Sequence, residues 1–303
     1  MSTAIENRFL DLSALASLAH MRFTTRHRIE GSYSGRHRSR QQGGAGEFVD
    51  FREYAGGEDL RRLDWKVYAR TGKAFVRLYQ DETNLLCTLA IDCSGSMAFG
   101  DGGEGNAHGS KLEYAQYLST AFSHIIGLGQ DQVGLALLDD GLRVALPPGG
   151  TPSHVALIQE KIAGATTAPA QQMAAGLGSL YESSRHRGVL IFFSDFLMED
   201  LEQSFSSLKL FRHNGWEVIA LHLVHPNEER LPDGAAYRFE GLENDGELAC
   251  SPAEVRAGYE KRFQAHLATV RQLALSIGCD YRFVSTAVPY RNTLGSFLVE
   301  RSG

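Results

Sequence analysis

The chain has 303 residues, of which 43% are hydrophobic and 22% are charged, and its formal net charge is −6. This composition is typical of a globular protein with a packed core, and the length suits one large domain or one domain with a smaller companion. The negative charge argues against nucleic-acid binding over a broad surface. The 4 cysteines are scattered without a C-x-x-C pair, which argues against a disulfide framework or a zinc site.

Two features of the sequence concern its location in the cell. The first residues lack a signal-peptide pattern, and no apolar run approaches the roughly 18 residues that span a bilayer. We therefore predict a cytoplasmic protein without a membrane span.

Residues 1–82 are predicted to form a helical and charged N-terminal extension that packs on the core. Residues 8–20 carry apolar side chains at helical spacing, which predicts a short amphipathic helix. A basic stretch follows from Arg22 to Arg40, with Glu30 as its single acid. It suits either a contact arm for an acidic partner, nucleic acid or phosphate, or a solvated or internally paired segment, and the negative net charge favours the second interpretation.

Residues 47–82 interleave opposite charges with large aromatic side chains. Arginine binds carboxylates in a bidentate manner and stacks on rings, so this mixture predicts a rigid polar network. We expect its central members to be buried or paired: Arg62, Asp64, Trp65 and Arg70. The segment lacks a G-x-x-x-x-G-K-[ST] loop and does not indicate a nucleotide site.

An apolar run over residues 85–91 predicts a strand buried on both sides, as in the middle of an α/β sheet. It leads into Asp92, and the chain then turns at Ser94 and Ser96, at the strand end where open α/β sheets bind ligands. One carboxylate and two hydroxyls are hard oxygen donors that suit Mg²⁺ or Mn²⁺. In the alternative interpretation, Asp92 and Ser94 only cap a turn.

A second apolar run, residues 188–193, ends in Ser194 and Asp195. Two predicted strands that both end in an acidic residue indicate a ligand site more strongly than either strand alone. If Asp92 and Asp195 share one ion, they must lie within about 12 Å of each other.

The rest of the chain alternates between predicted strands and helices. A glycine-rich stretch over residues 98–109 is either a mobile gate or a plain surface insertion. Alternation of strands and helices predicts a mainly parallel sheet with helices on both faces, within a domain of residues 83–303 that includes the segment 226–303. The predicted helices are 111–126, 151–162, 171–184, a helix ending at 213, 251–277 and 294–299, and the later strands are a hairpin over 133–146, 216–224 and 280–285.

Several of these segments resemble the bacterial family called domain of unknown function 58, whose members are von Willebrand factor A-like proteins with a Rossmann-type sheet. The resemblance is carried by Arg52-Glu-Tyr-x-x-Gly57-Glu-Asp59-x-Arg-Arg62-x-Asp64-Trp65-Lys66-x-x-Ala69-Arg70, Asp92-x-Ser94-x-Ser96-Met97, Lys111-Leu-Glu-x-Ala115, Asp131-x-Val-Gly134-Leu and Ser194-Asp195-Phe196. Members are typically encoded beside MoxR-type AAA+ ATPases. Many carry amino-terminal membrane helices, and this chain is similar to the soluble branch.

The resemblance also implies a metal-ion-dependent adhesion site with ligands from three loops. Asp92, Ser94 and Ser96 match the first loop, and Asp195 matches the last. For the middle loop, Thr166 and Thr167 are candidates, and we select Thr167, although the family's usual spacing counted back from Leu177 falls on Gln171. The residues expected to contact a partner beside these ligands are Gly95, Met97 and Phe196.

We therefore expect a non-enzymatic protein-interaction module that binds Mg²⁺ or Mn²⁺ and leaves a coordination position for an acidic residue of a partner. The resemblance implies a MoxR-type AAA+ ATPase, or a client protein that this ATPase matures or remodels. The alternative is a metal-dependent hydrolase or phosphatase that uses Asp92 and Asp195. The sequence, however, has no G-x-S-x-G elbow and no second set of acids at two-metal spacing. A third candidate is nucleic-acid binding through Arg22–Arg40.

Overall fold

The computed structural model describes residues 8–18, 21–25, 37–39, 47–55, 63–83, 85–100, 109–169, 172–231, 233, 237–243 and 246–302. The chain divides into two units, a smaller one of residues 28–85 and a larger one of residues 1–27 and 86–303. In chain order the elements are α1 (Leu12–Ala16), β1 (His37–Ser39), β2 (Glu47–Glu53), α2 (Trp65–Thr71), β3 (Phe75–Thr83), β4 (Leu86–Asp92), a 3-10 turn (Gly95–Ala98), α3 (Lys111–Leu128), β5 (Gln132–Asp139), β6 (Gly141–Gly149), α4 (Pro152–Ala163), α5 (Met173–Ser183), β7 (Val189–Ser194), α6 (Leu201–His213), β8 (Glu217–Val224), α7 (Pro226–Glu229), β9 (Tyr237–Glu240), β10 (Glu247–Cys250), α8 (Pro252–Ser276), β11 (Asp280–Ser285) and α9 (Tyr290–Ser302).

The larger unit is built on a six-stranded sheet with the order β11-β8-β7-β4-β5-β6. Its strands pair in parallel except for β5 and β6, which form the predicted antiparallel hairpin at one edge. The two strands that were predicted to end in acids, β4 and β7, are direct neighbours in the middle of the sheet. The prediction of a mainly parallel α/β sheet is therefore confirmed.

Helices cover both faces of this sheet, and the neighbouring residues Phe192 and Phe193 of β7 point to opposite sides. Phe192 joins the apolar cluster formed with α5, α6 and α8, which includes Phe205 and Val270. On the other face, Phe193 contacts Phe122 of α3 edge to face, with ring centroids 6.1 Å apart. Such two-sided burial explains why β7 is apolar throughout its length and shows no alternation.

The first described residues belong to the larger unit, whereas the sequence had grouped them with a separate extension of residues 1–82. Phe9 packs edge to face on Tyr117 of α3, with ring centroids 4.9 Å apart. Phe23 stacks on Phe297 of α9 at 6.0 Å, and Arg301 Nε donates a hydrogen bond to the Thr24 carbonyl at 2.8 Å. These contacts connect the N-terminal segment to helices that lie far away in the sequence.

The smaller unit contains an antiparallel sheet with the order β1-β3-β2, where the sequence predicted a helical and charged extension. The mixed apolar and charged residues 75–83 form the central strand of this sheet and show no regular alternation. The helix of this unit is the short α2. Asp64 caps it by accepting hydrogen bonds from Lys66 N at 2.9 Å and Val67 N at 3.1 Å.

The charged and aromatic network was predicted to be buried or paired, and two of its members are not buried. Trp65 is 59% exposed and Arg70 is also exposed, while Asp64 is buried as the helix cap. Trp65 lies near Tyr68 on one side of α2, with ring centroids 6.1 Å apart, and α2 contains no buried residue. The loss of stability expected for a core tryptophan therefore does not apply here. Arg62 lies outside the described residues.

Several further predictions can be compared with the C-terminal part of the chain. Residues 226–250 contain the short helix α7 and the hairpin of β9 and β10, and α9 begins at Tyr290 instead of residue 294. The predictions that concern residues 101–108, Gln171 and most of the basic stretch fall outside the described residues. Within the part of the chain that is described, no helix is both long and apolar enough to cross a bilayer.

Candidate functional site

The candidate site lies where two adjacent parallel strands end. In the sheet, Ile91 of β4 pairs with Phe193 of β7, so the loops that follow the two strands leave the same edge side by side. Asp92 closes the first strand and is 1% exposed, and Asp195 follows the second and is 2% exposed. Parallel pairing without a register shift is what brings together two acids that are about a hundred residues apart in the sequence.

Hydrogen bonds join the two strand ends directly. Ser194 Oγ donates to Asp92 Oδ2 at 2.6 Å, and the Ser94 backbone N–H donates to Asp92 Oδ1 at 2.8 Å. The hydroxyls of Ser94 and Ser96 lie 3.2 Å apart, and the Ser96 side chain helps to lower the pKa of Asp195. The predicted ligands Asp92, Ser94, Ser96 and Asp195 therefore lie together at this edge of the sheet.

Asp92 is a strongly perturbed acid. Burial removes its carboxylate from water and raises its pKa to about 7, and repulsion by Asp195 acts in the same direction. Hydrogen bonds from Ser194 and Ser94 oppose this rise without reversing it. The described partners of the Asp92 carboxylate oxygens are thus a hydroxyl and a backbone N–H, and neither carries a full positive charge.

Asp195 is in a different electrostatic environment because Lys111 lies beside it. Lys111 is fully buried at the start of α3, and its Nζ donates to Asp195 Oδ2 at 2.6 Å and also to Glu228 Oε1. Burial alone would raise the pKa of Asp195, but the Lys111 charge and its hydrogen bond hold that pKa below its usual value. Burial would lower the pKa of Lys111, and its two acidic partners raise it instead.

Glu228 is the third member of this buried group and is held by α7. Its Oε2 accepts a hydrogen bond from the His225 backbone N–H at 2.8 Å, so that Oε1 is directed at Lys111. Burial raises the pKa of Glu228, although Lys111 partly opposes this effect. Sequence reasoning missed both Lys111 and Glu228 as site residues. One signal was present: Lys111 occupies the helical position that precedes Ala115 and Leu118 on the apolar face of α3.

The middle loop lies beside the first loop. The Ala168 N–H donates to the Cys93 carbonyl at 2.9 Å, and Ala168 forms a parallel bridge with Ser94. Thr167 is half-buried next to this bridge, whereas Thr166 is exposed and its carbonyl accepts a hydrogen bond from Arg143. Thr167 immediately precedes Ala168 in the chain and is therefore one residue closer to this bridge than Thr166. Its role as a ligand stays a prediction.

The residues predicted to contact a partner are buried in this structure. Gly95 is buried, Met97 is fully buried, and Phe196 is 1% exposed and packs between Phe192 and Phe205. Phe196 has a positive φ of 56°, and its N–H donates to Ser194 Oγ at 2.9 Å. These residues therefore shape the two loops from within and present little surface of their own.

One more acid reaches the first loop from a distant part of the chain. The Ser96 backbone N–H donates to Glu243 Oε1 at 2.8 Å, and Glu243 lies in the connection between β9 and β10. No local sequence pattern indicates this contact, because Glu243 and Ser96 are 147 positions apart.

The donor set fits a small hard cation. Asp92 offers a desolvated carboxylate beside neutral hydroxyls, and a divalent ion there would offset the repulsion between Asp92 and Asp195. Among the described residues, no group of three or more His, Cys, Asp or Glu side chains is arranged to hold a metal ion. A cation at this site would therefore use hydroxyl oxygens from Ser94 and Ser96 together with Asp92.

Comparison with known proteins finds similar sequences and similar solved structures. The chain is 26% identical over 301 residues to the uncharacterized protein Rv1480 of Mycobacterium tuberculosis, covering 96% of this chain and 90% of the relative, and equally to Mb1516 of Mycobacterium bovis. The crystal structure of the conserved hypothetical protein BatB from Bacteroides thetaiotaomicron is 15% identical, with a TM-score of 0.47, over 71% of this chain and 98% of that chain.

A family comparison covers most of the sequence. The family described as Protein of unknown function DUF58 matches residues 50–269, a range that includes the Trp65 helix, both strand ends and most of α8. The match agrees with the resemblance carried by the segments around Trp65, Asp92 and Asp195. The chain therefore belongs to the DUF58 family.

Proposed function

We propose that this protein is a non-enzymatic protein-interaction module that binds a divalent cation, Mg²⁺ or Mn²⁺, at Asp92, Ser94 and Ser96, with Thr167 from the middle loop. Asp195, which is paired with Lys111, acts on the ion through a water molecule. An acidic side chain of a partner completes the coordination of the ion. The partner is a MoxR-type AAA+ ATPase or a client protein of such an ATPase, as the resemblance to the family implies.

The observation that carries this proposal is the meeting of the Asp92 and Asp195 loops at one edge of the sheet. Asp92 is desolvated and lacks a cationic partner among its described hydrogen bonds, and two serine hydroxyls lie next to it. Asp195 is already paired with Lys111, so the Asp92 carboxylate is the acid of this site whose charge, once it ionises, is not balanced by Lys111. A hard divalent cation suits this combination of charge and oxygen donors.

The same geometry favours binding over hydrolysis. A metal-dependent hydrolase of the two-metal type needs acids that hold a second ion, whereas the second acid here, Asp195, is engaged by Lys111. A phosphatase assay with a generic aryl phosphate, with and without Mn²⁺, addresses this alternative. We expect no turnover above that of Asp92→Asn, and metal-dependent turnover that this substitution abolishes would overturn the non-enzymatic proposal.

The direct test measures binding to a MoxR-type ATPase from the same genome in Mg²⁺ and in chelator. We expect binding in Mg²⁺ that is lost in chelator and in the Asp92→Asn variant. Asp140→Asn, in the exposed β5–β6 turn, is the matched control and should bind as the unmodified protein does. Binding that ignores both chelator and Asp92→Asn would contradict the proposed role of the cation.

A further inference from the structure

The loop between β9 and β10 makes close contacts with the turn that follows Asp92. At the tip of this hairpin, Glu243 Oε1 accepts the Ser96 backbone N–H at 2.8 Å. Ser96 and Glu243 are 147 positions apart in the sequence, so the contact depends on how the hairpin folds back over the sheet edge.

The fit around Gly95 shows how closely the hairpin tip approaches this turn. A Cβ atom at Gly95 would lie 2.3 Å from the Leu242 carbonyl oxygen and 3.0 Å from Glu243 Cδ and Oε2. Carbon atoms in proteins do not approach other atoms this closely, so the tip reaches the turn only because residue 95 is glycine. Leu242 and Glu243 therefore cover the outer side of Gly95 and Ser96.

The Glu243 carboxylate, which covers this turn, is chemically similar to the acidic side chain of the partner in the proposed function. Glu243 presents a carboxylate to the loop that carries Ser94 and Ser96, and an acidic side chain of the partner is expected to approach the same loop. Two carboxylates cannot occupy this position together, because they would repel each other and collide. The leucine that precedes the acid is 41% exposed, so the tip presents an apolar residue followed by an acid.

We infer that the hairpin tip, Gly241-Leu242-Glu243, is an internal ligand that competes with the acidic partner for the Gly95–Ser96 turn. The inference rests on the proposed function, because the competition requires a partner that uses this turn. The partner then carries a loop with a glutamate or aspartate next to an apolar residue, and it binds only after the hairpin has moved away. The hairpin thereby lowers the affinity for every partner that uses this turn.

The test compares two glutamates of the same hairpin. Glu243→Gln keeps the side-chain size and removes the charge, whereas Glu240→Gln removes the same charge from an exposed position in β9. Hydrogen exchange of the Ser96 amide is measured without divalent cation and without partner. We expect exchange to rise about tenfold or more in Glu243→Gln, since a hydrogen bond to a charged acceptor is stronger than one to a neutral acceptor, and to stay unchanged in Glu240→Gln.

Binding of the MoxR-type ATPase in Mg²⁺ is then measured for the same proteins. Removing the competitor should strengthen binding about tenfold in Glu243→Gln and leave it unchanged in Glu240→Gln. Unchanged Ser96 exchange in Glu243→Gln overturns the inference, whatever the metal does. Faster exchange with unchanged, chelator-sensitive binding overturns the competition alone and leaves the proposed function intact. If no variant binds the ATPase, the proposed function fails and the competition fails with it.

Discussion

The ends of β4 and β7 are two similar structures with opposite electrostatic properties. Each is a buried strand that closes on an aspartate at the same edge of the sheet. Asp195 receives the ammonium group of Lys111 at 2.6 Å, and its pKa falls below the usual range. Asp92 receives a hydroxyl and a backbone N–H, and its pKa rises to about 7.

The difference shows which acid has its charge balanced within the fold. A buried carboxylate is stable in its ionised form only when a nearby positive charge offsets the loss of hydration. Lys111 supplies that charge to Asp195, and at Asp92 the proposed cation supplies it. The two strand ends therefore differ in charge balance: Asp195 belongs to an ion pair within the fold, whereas the ionised Asp92 is balanced by the cation of the proposed function.

The largest effect is expected from removing the ammonium group that distinguishes the two ends. Lys111→Met leaves Asp195 and Glu228 buried without their cation. We expect the free energy of unfolding to fall by about 3–5 kcal/mol, as is typical when one partner of a buried ion pair is removed. Urea denaturation measures this change.

Lys161→Met is the matched control, because Lys161 pairs with Glu160 at 3.8 Å on the surface. Exposed pairs of this kind contribute about 0–1 kcal/mol. If both variants unfold at the same urea concentration, Lys111 does not stabilise Asp195 and the comparison between the strand ends is wrong.

The next largest effect concerns the acid that lacks an ammonium partner. Asp92→Asn removes one negative charge and keeps the side-chain shape. We expect Mg²⁺ affinity to fall about a hundredfold or more. The attraction between a divalent ion and a carboxylate at contact distance is roughly 15 kcal/mol at an effective dielectric constant near 20, and a net gain remains after desolvation has offset most of it. Calorimetric titration measures the affinity, with Asp140→Asn as the control, and an unchanged affinity in Asp92→Asn would place the ion elsewhere.

The dependence of stability on pH sharpens the same comparison. The folded-state pKa of Asp92, about 7, lies above the ordinary value of 3.8. The folded protein therefore holds the Asp92 proton more tightly than the unfolded chain does. In the metal-free protein, the stability that Asp92 contributes in this way is fully present below about pH 3.8 and is lost as the pH rises through about 7. Under the proposed function Mg²⁺ binds the ionised acid, so the rise in Tm on adding Mg²⁺ should grow between pH 5 and pH 8. A thermal melt series measures it, and Asp92→Asn should flatten both trends. An Mg²⁺ effect that is equal at pH 5 and pH 8 would contradict this assignment.

The smallest effect is expected at the middle loop. Thr167→Val removes one neutral oxygen, and we expect Mg²⁺ affinity to fall about three- to tenfold, since no net charge is lost. Thr166→Val, at an exposed position whose carbonyl is held by Arg143, is the matched control and should bind Mg²⁺ normally. A larger loss in Thr166→Val than in Thr167→Val would reverse the assignment within this loop.

Sequence by itself determined the features that depend on local pattern. Continuous apolar runs identified β4 and β7 as buried strands, and their last residues identified Asp92 and Asp195 as neighbours at one sheet edge. These predictions succeeded because a strand buried on both faces must be apolar along its whole length and because parallel strands end at the same edge. The family followed from the spacing of the motifs around the Trp65 helix and Asp92.

Only the tertiary structure determined which partner each charged side chain contacts. Lys111 reaches Asp195 across 84 positions and Glu228 across 117, and Glu243 reaches Ser96 across 147. No local pattern specifies such contacts, because they arise from the packing of α3, α7 and the β9–β10 hairpin around the sheet edge. The exposure of Trp65 has the same origin: a propensity for burial is a property of the residue, but the neighbours that cover a residue are supplied by the fold.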